Sequence, residues 1–159
     1  MPRSKTPTFL FVPGGWHLPD YYSPIIESLA DSGYDSETVT LNINADPPLE
    51  DLEPEVDSVL SKLRPLLKAG KEVIVVSHSY GGIPTTEAVG RLMEEQSSRA
   101  DEGKVARLVY ITAFVPAKGD SMLSMIGDFD EALDASLIDF DVSTDVKEKW
   151  TWRFLTQLR

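Results

Sequence analysis

Six residues carry the first chemical signal: Ser77-His78-Ser79-Tyr80-Gly81-Gly82. They follow a run of β-branched residues and precede a stretch with helical spacing. This is the setting in which a G-x-S-x-G turn presents a nucleophile. Such a turn is sharp, so the residues two before and two after the central serine must be small. Ser77 and Gly81 hold those places, with Ser77 standing where a first glycine is usual. Ser79 then projects from the carboxyl end of a strand. The N-terminus of the next helix lies behind it and favours developing negative charge. A plain strand-to-helix turn with a capping serine would also fit six residues. The strand before, the helix after and a glycine loop upstream favour the nucleophile reading.

Acyl transfer by a serine needs two N–H donors aimed at the oxyanion. Pro13-Gly14-Gly15-Trp16-His17 follows the first apolar run and can supply one of them. Gly15 is the expected donor, with Trp16 beside it as the other candidate; Tyr80, next to the nucleophile, gives the second N–H. Gly14, Trp16 and His17 are expected to border the substrate pocket. Trp150 could line it too, although core packing of a last helix explains that tryptophan better.

A serine nucleophile also needs a base, usually histidine, that takes its proton. Only His17 and His78 are present, and both precede Ser79. His78 is expected to point away from the nucleophile and pack beside the turn. His17 is expected either to contact a substrate or to hydrogen-bond its own loop. Asp120 is the one early candidate for the acid, and a loop aspartate capping the helix from Ser121 accounts for it better. Asp128, Asp130, Asp134, Asp139, Asp141 and Asp145 read as caps or a solvated face.

These groups need elements to hold them. Residues 8–12 form an apolar, β-prone run that suits a strand covered on both faces. Residues 21–31 have helical spacing at Tyr22, Ile25, Ile26 and Leu29, with Asp20 as N-cap, Pro24 in an early turn and Gly33 past the end. Residues 37–43 read as a second, more polar strand, and residues 44–48 as a turn-rich connection. Leu52, Val56, Val59, Leu60, Leu63 and Leu67 mark one face of a helix that Pro65 should kink and Gly70 should end. Residues 72–76 are the strongest strand and belong at the sheet centre. Residues 81–96 read as a helix with Pro84 in its first turn, and residues 105–113 as a strand. This β-α-β-α-β-α-β alternation predicts a parallel sheet with right-handed crossovers and helices on both faces. Beyond Pro116, residues 121–126, 130–138 and 146–158 read as helices, the last bearing Trp150, Trp152, Phe154 and Leu155.

Composition sets the outer bounds. A chain of 159 residues, 42% hydrophobic and 26% charged, suits one folded domain. Its net charge of -11 opposes binding to nucleic acid or to an anionic membrane surface, and leaves small neutral substrates unaffected. No run approaches the ~20 apolar residues of a membrane span. Residues 9–12 are too short for a signal-peptide core, so a soluble, cytoplasmic protein is expected. The absence of cysteine removes disulfides, thiolate metal sites and a cysteine nucleophile.

Phe11-Val12-Pro13-Gly14-Gly15-Trp16-His17, the Ser77–Gly82 turn and Val109-Tyr110-Ile111-Thr112-Ala113-Phe114-Val115-Pro116 together resemble an α/β-hydrolase. The similarity is to the small single-domain group that includes plant methyl-salicylate-type esterases, hydroxynitrile lyases and many fungal and bacterial relatives. It spans residues 9–120. It implies an α/β fold in which residues 1–118 are the N-terminal part of the core and residues 119–159 begin a helical cap. It implies Ser79 as nucleophile, Gly15 and Tyr80 as the oxyanion hole, a small ester or related carbonyl substrate, and no metal or cofactor. Homo-oligomerisation stays open. It also implies an acid and a histidine after the serine. No histidine follows Ser79, so the closing strands and helices of the core are expected to be absent from these residues. Residues 105–113 would then be an uncovered strand edge. A second reading therefore stays open: a truncated or non-catalytic module that binds a small molecule or a partner chain. A lyase-type use of the site needs the same late histidine.

Overall fold

The computed structural model describes residues 6–42, 49, 51–96, 103–120 and 122–126. Its strands are β1 (Thr8–Val12), β2 (Ser36–Thr38), β3 (Glu72–His78) and β4 (Lys104–Ile111). Its helices are α1 (Ser23–Asp31), α2 (Glu53–Lys68), α3 (Gly82–Gln96) and α4 (Met122–Ile126). The strands form one parallel sheet in the order β2-β1-β3-β4. β3 lies inside the sheet, as its β-branched run predicts, and Val12 and His78 pair with Ser77 and Ile111 respectively.

The chain steps from β1 out to β2, then back across β1 to β3. With right-handed crossovers, that reversal puts α1 on one face and α2 and α3 on the other. The pleat sorts the side chains accordingly. Leu10 and Val12 join Val73 and Val75, the α2 stripe and Ala88, Val89 and Leu92 of α3 in one buried core. Phe9 and Phe11 turn to the opposite face. There Phe11 stacks on Tyr22 at 5.3 Å and Phe9 meets Tyr34 edge-on at 5.6 Å. Truncating a stripe residue such as Leu63, which is fully buried, to alanine would cost about 2–5 kcal/mol.

Several boundaries differ from the sequence-based expectation. α1 starts at Ser23, after a 3-10 turn at Pro19–Tyr22. Asp20 sits inside that turn and does not cap α1; Tyr22 holds the cap position without a side-chain cap bond. Pro24 in the first turn removes one of the donors a cap would serve. Ile25 is 46% exposed, so the apolar stripe of α1 is narrower than its spacing suggests. β2 is three residues long instead of seven. Val39 still donates to the Phe11 carbonyl at 2.9 Å, but the Asn42 N–H turns to Glu55 at 2.7 Å, which takes the chain off the ladder. β3 runs on to His78, and residues 79–81 form a 3-10 turn before α3. β4 ends at Ile111 because Thr112 adopts a φ of 42°. Residues 43–48, the expected helices at 130–138 and 146–158, and Trp150 lie outside the described residues.

Candidate active site

β3 delivers Ser79 to the carboxyl end of the sheet, and α3 begins three residues later. Ser79 has a φ of 50°, a left-handed conformation that an L-residue adopts only when its surroundings demand it. Two contacts make that demand. The Ser79 carbonyl accepts the Phe114 N–H at 3.1 Å from the segment after β4. Gly81 packs directly on the Pro13 carbonyl, and a Cβ there would overlap it. Ser77, two residues before, is buried and donates to Thr85 Oγ1 of α3 at 2.8 Å. A hydroxyl at this position ties strand to helix, which a glycine could not do.

The Pro13–His17 loop lies against the nucleophile. A Cβ on Gly14 would come within 2.9 Å of His78 Nδ1 and 3.0 Å of Ser79 Cβ, so only glycine allows this approach. The loop is held in three ways. Gly14 hydrogen-bonds Tyr22 through its backbone; this lowers the phenol pKa, but burial has the larger effect and raises it overall. The His17 N–H donates to the Gly14 carbonyl at 3.2 Å. His17 Nδ1–H donates to the Gly15 carbonyl at 2.8 Å. Trp16 takes a φ of 60° and is 60% exposed. The Gly15 N–H makes no hydrogen bond among the described residues.

The two imidazoles meet edge to face at 5.1 Å, and His17 also touches the Tyr21 ring at 5.4 Å. Burial, and secondarily the neighbouring His17, lower the His78 pKa from its ordinary value. Among the described residues neither ring hydrogen-bonds Ser79. His17 therefore serves its own loop, and His78 packs beside the turn. Asp120 Oδ2 accepts the Ala117 N–H at 2.8 Å within its own loop.

The sequence model of the alpha/beta hydrolase family matches residues 9–157. The chain belongs to that family. It is 28% identical over 149 residues to the alpha/beta hydrolase nvfD of Aspergillus novofumigatus, covering 88% of this chain and 59% of that one. It is 32% identical over 124 residues to Probable hydrolase R7 of a Phoma species, covering 76% of this chain and 48% of that one. The chain thus spans about half the length of the curated relatives it matches. Among solved structures it overlays an extracellular alpha/beta-hydrolase from a Paenibacillus species with a TM-score of 0.59 at 21% identity, covering 81% of this chain and 49% of that one. That likeness concerns the fold alone. No helix among the described residues is long and apolar enough to cross a membrane.

Three contacts near the site of this α/β hydrolase escape a motif search. Phe114 anchors Ser79 through its backbone, which no side-chain pattern reveals. Tyr22 reads as a helix-face aromatic, yet it hydrogen-bonds the glycine loop. Glu55 reads as a first-turn acid of α2, yet it is fully buried. Tyr80 and Ile83 form a buried cluster against which Leu41, Leu52, Phe114, Met122 and Met125 pack. Burial, and secondarily the Glu55 charge, push the Tyr80 phenol pKa well above the ordinary value.

Proposed function

We propose that this chain carries the nucleophile half of a serine hydrolase acting on a small ester or related carbonyl compound. The observation that carries this reading is the left-handed Ser79 between β3 and α3, with the Gly14-Gly15 loop packed against it. In this reading the Ser79 oxygen attacks the carbonyl carbon while its proton passes to a base supplied elsewhere in the full-length protein, and the carbonyl electron pair moves onto oxygen. The Gly15 and Tyr80 N–H groups receive the oxyanion, and the start of α3 favours its charge. Trp16, with an exposed indole at the mouth, His17 and Gly14 border the bound substrate. A fluorophosphonate probe should label the full-length protein and fail to label its Ser79→Ala form. An intact, folded protein that takes no label would overturn the proposal.

A second reading is favoured by one observation: neither imidazole is hydrogen-bonded to Ser79. In it, the 159-residue chain binds a small molecule or a partner chain without hydrolysis. Ester turnover by the purified chain, abolished in Ser79→Ala, would exclude it.

A further inference from the structure

Glu55 is a fully buried carboxyl that the proposed chemistry leaves unused. It lies in the first turn of α2 and has no solvent exposure. Its Oε2 accepts the Asn42 N–H at 2.7 Å, while its Oε1 has no hydrogen-bond partner among the described residues. A buried polar atom without a partner costs about 1–3 kcal/mol. A leucine there would avoid that cost, so the carboxyl must do something a leucine cannot.

Its neighbours show what that is. Asn42 is clamped to α2 by its backbone on Glu55 and by its Nδ2 on Ser58 Oγ at 2.8 Å and on the Pro54 carbonyl at 3.4 Å. Leu41 precedes Asn42 in the chain, and Leu52 immediately precedes α2. Both pack against the main core and also against the Tyr80–Ile83 cluster. Glu55 therefore anchors the residue next to Leu41 on the helix next to Leu52, and both leucines pack against the Tyr80–Ile83 cluster. Tyr80 follows the left-handed Ser79, so a shift of its ring would turn the amide between the two residues.

We infer that Glu55 is a positioning residue: it pins the Asn42 backbone, seats Leu41 and Leu52 behind the Tyr80 ring, and so fixes the direction of the Tyr80 N–H. The inference rests on the reading of Tyr80 as an oxyanion donor. The raised carboxyl pKa of Glu55, caused by burial and only partly offset by Asn42, agrees with that buried place.

The test follows the Tyr80 backbone amide in proton–nitrogen NMR spectra of the full-length protein, alongside the rate at which it takes the fluorophosphonate label. Glu55→Gln keeps an acceptor for the Asn42 N–H and should leave the Tyr80 resonance close to its original place. Glu55→Leu removes the acceptor and should move that resonance, slowing labelling by roughly tenfold, less than the ~10²–10³ loss of a whole oxyanion donor. Asn42→Ala, a change to an exposed side chain, should move the same resonance less and in the same direction, and guards against a Glu55→Leu form that does not fold. An unmoved Tyr80 amide in folded Glu55→Leu or Asn42→Ala protein overturns the inference, as does a Glu55→Gln form perturbed as much as Glu55→Leu. If no form takes the label, the hydrolase reading fails, and the amide shifts alone decide whether Glu55 holds Tyr80.

Discussion

At the scale of single residues, the site is built by contacts that override local preference. The left-handed Ser79 costs on the order of 1–3 kcal/mol and persists because Phe114, Pro13 and Gly14 surround it. Gly81 is an exacting position in this turn, since the atom a side chain would strike is backbone on the other side of the turn. Gly81→Ala should destabilise the fold by about 3 kcal/mol, at the upper end of overpacking costs, and should also slow labelling of Ser79. A chemical denaturation curve with an unchanged midpoint would show that the Pro13 segment yields freely.

At the scale of elements, β3 and α3 are joined by more than the turn between them. The Ser77–Thr85 hydrogen bond crosses the interface with both hydroxyls buried. Ser77→Ala should cost about 1 kcal/mol, and the Ser77→Ala/Thr85→Ala pair should cost less than the sum of the single changes. Additive losses in that cycle would mean that the two hydroxyls act independently. The order and type of the first four strands and three helices were legible in the sequence, because apolar period and glycine placement carried them. The proximity of the glycine loop to the serine turn was legible as well, through two motifs that the α/β-hydrolase resemblance brings together. The short β2 was not legible, because what ends it is the Asn42 N–H turning to a glutamate 13 residues later. The N-terminus of α1 departs from its sequence pattern for a related reason. Asp20 has the right chemistry for a cap, but two prolines set the backbone around it. The roles of Glu55 and Phe114 depend on tertiary contacts that leave no local trace.

At the scale of the whole molecule, two groups behind the site titrate in opposite senses. His78 has a folded pKa below its ordinary 6.5. The unfolded chain therefore takes up this proton first. Its contribution to stability is complete above 6.5 and is lost as pH falls through the lowered folded value. Glu55 has a folded pKa above its ordinary 4.5. The folded chain keeps this proton longer. Its contribution is complete below 4.5 and is lost as pH rises through the raised value. Between those ordinary values the two slopes oppose each other and flatten the response of the wild type. Glu55→Gln should therefore make stability climb more steeply from about pH 5 to about pH 7, and His78→Asn should make it climb less. The net charge of -11 adds self-repulsion that varies over the same range in all three proteins. Urea midpoints taken in about 1 M salt, where the screening length is ~3 Å, should suppress that common background and leave the two local differences. A Glu55→Gln curve parallel to the wild type would show that this carboxyl titrates alike in the folded and unfolded chains. The wall behind Tyr80 would then have to be held by Asn42 and its leucine neighbours without a buried acid.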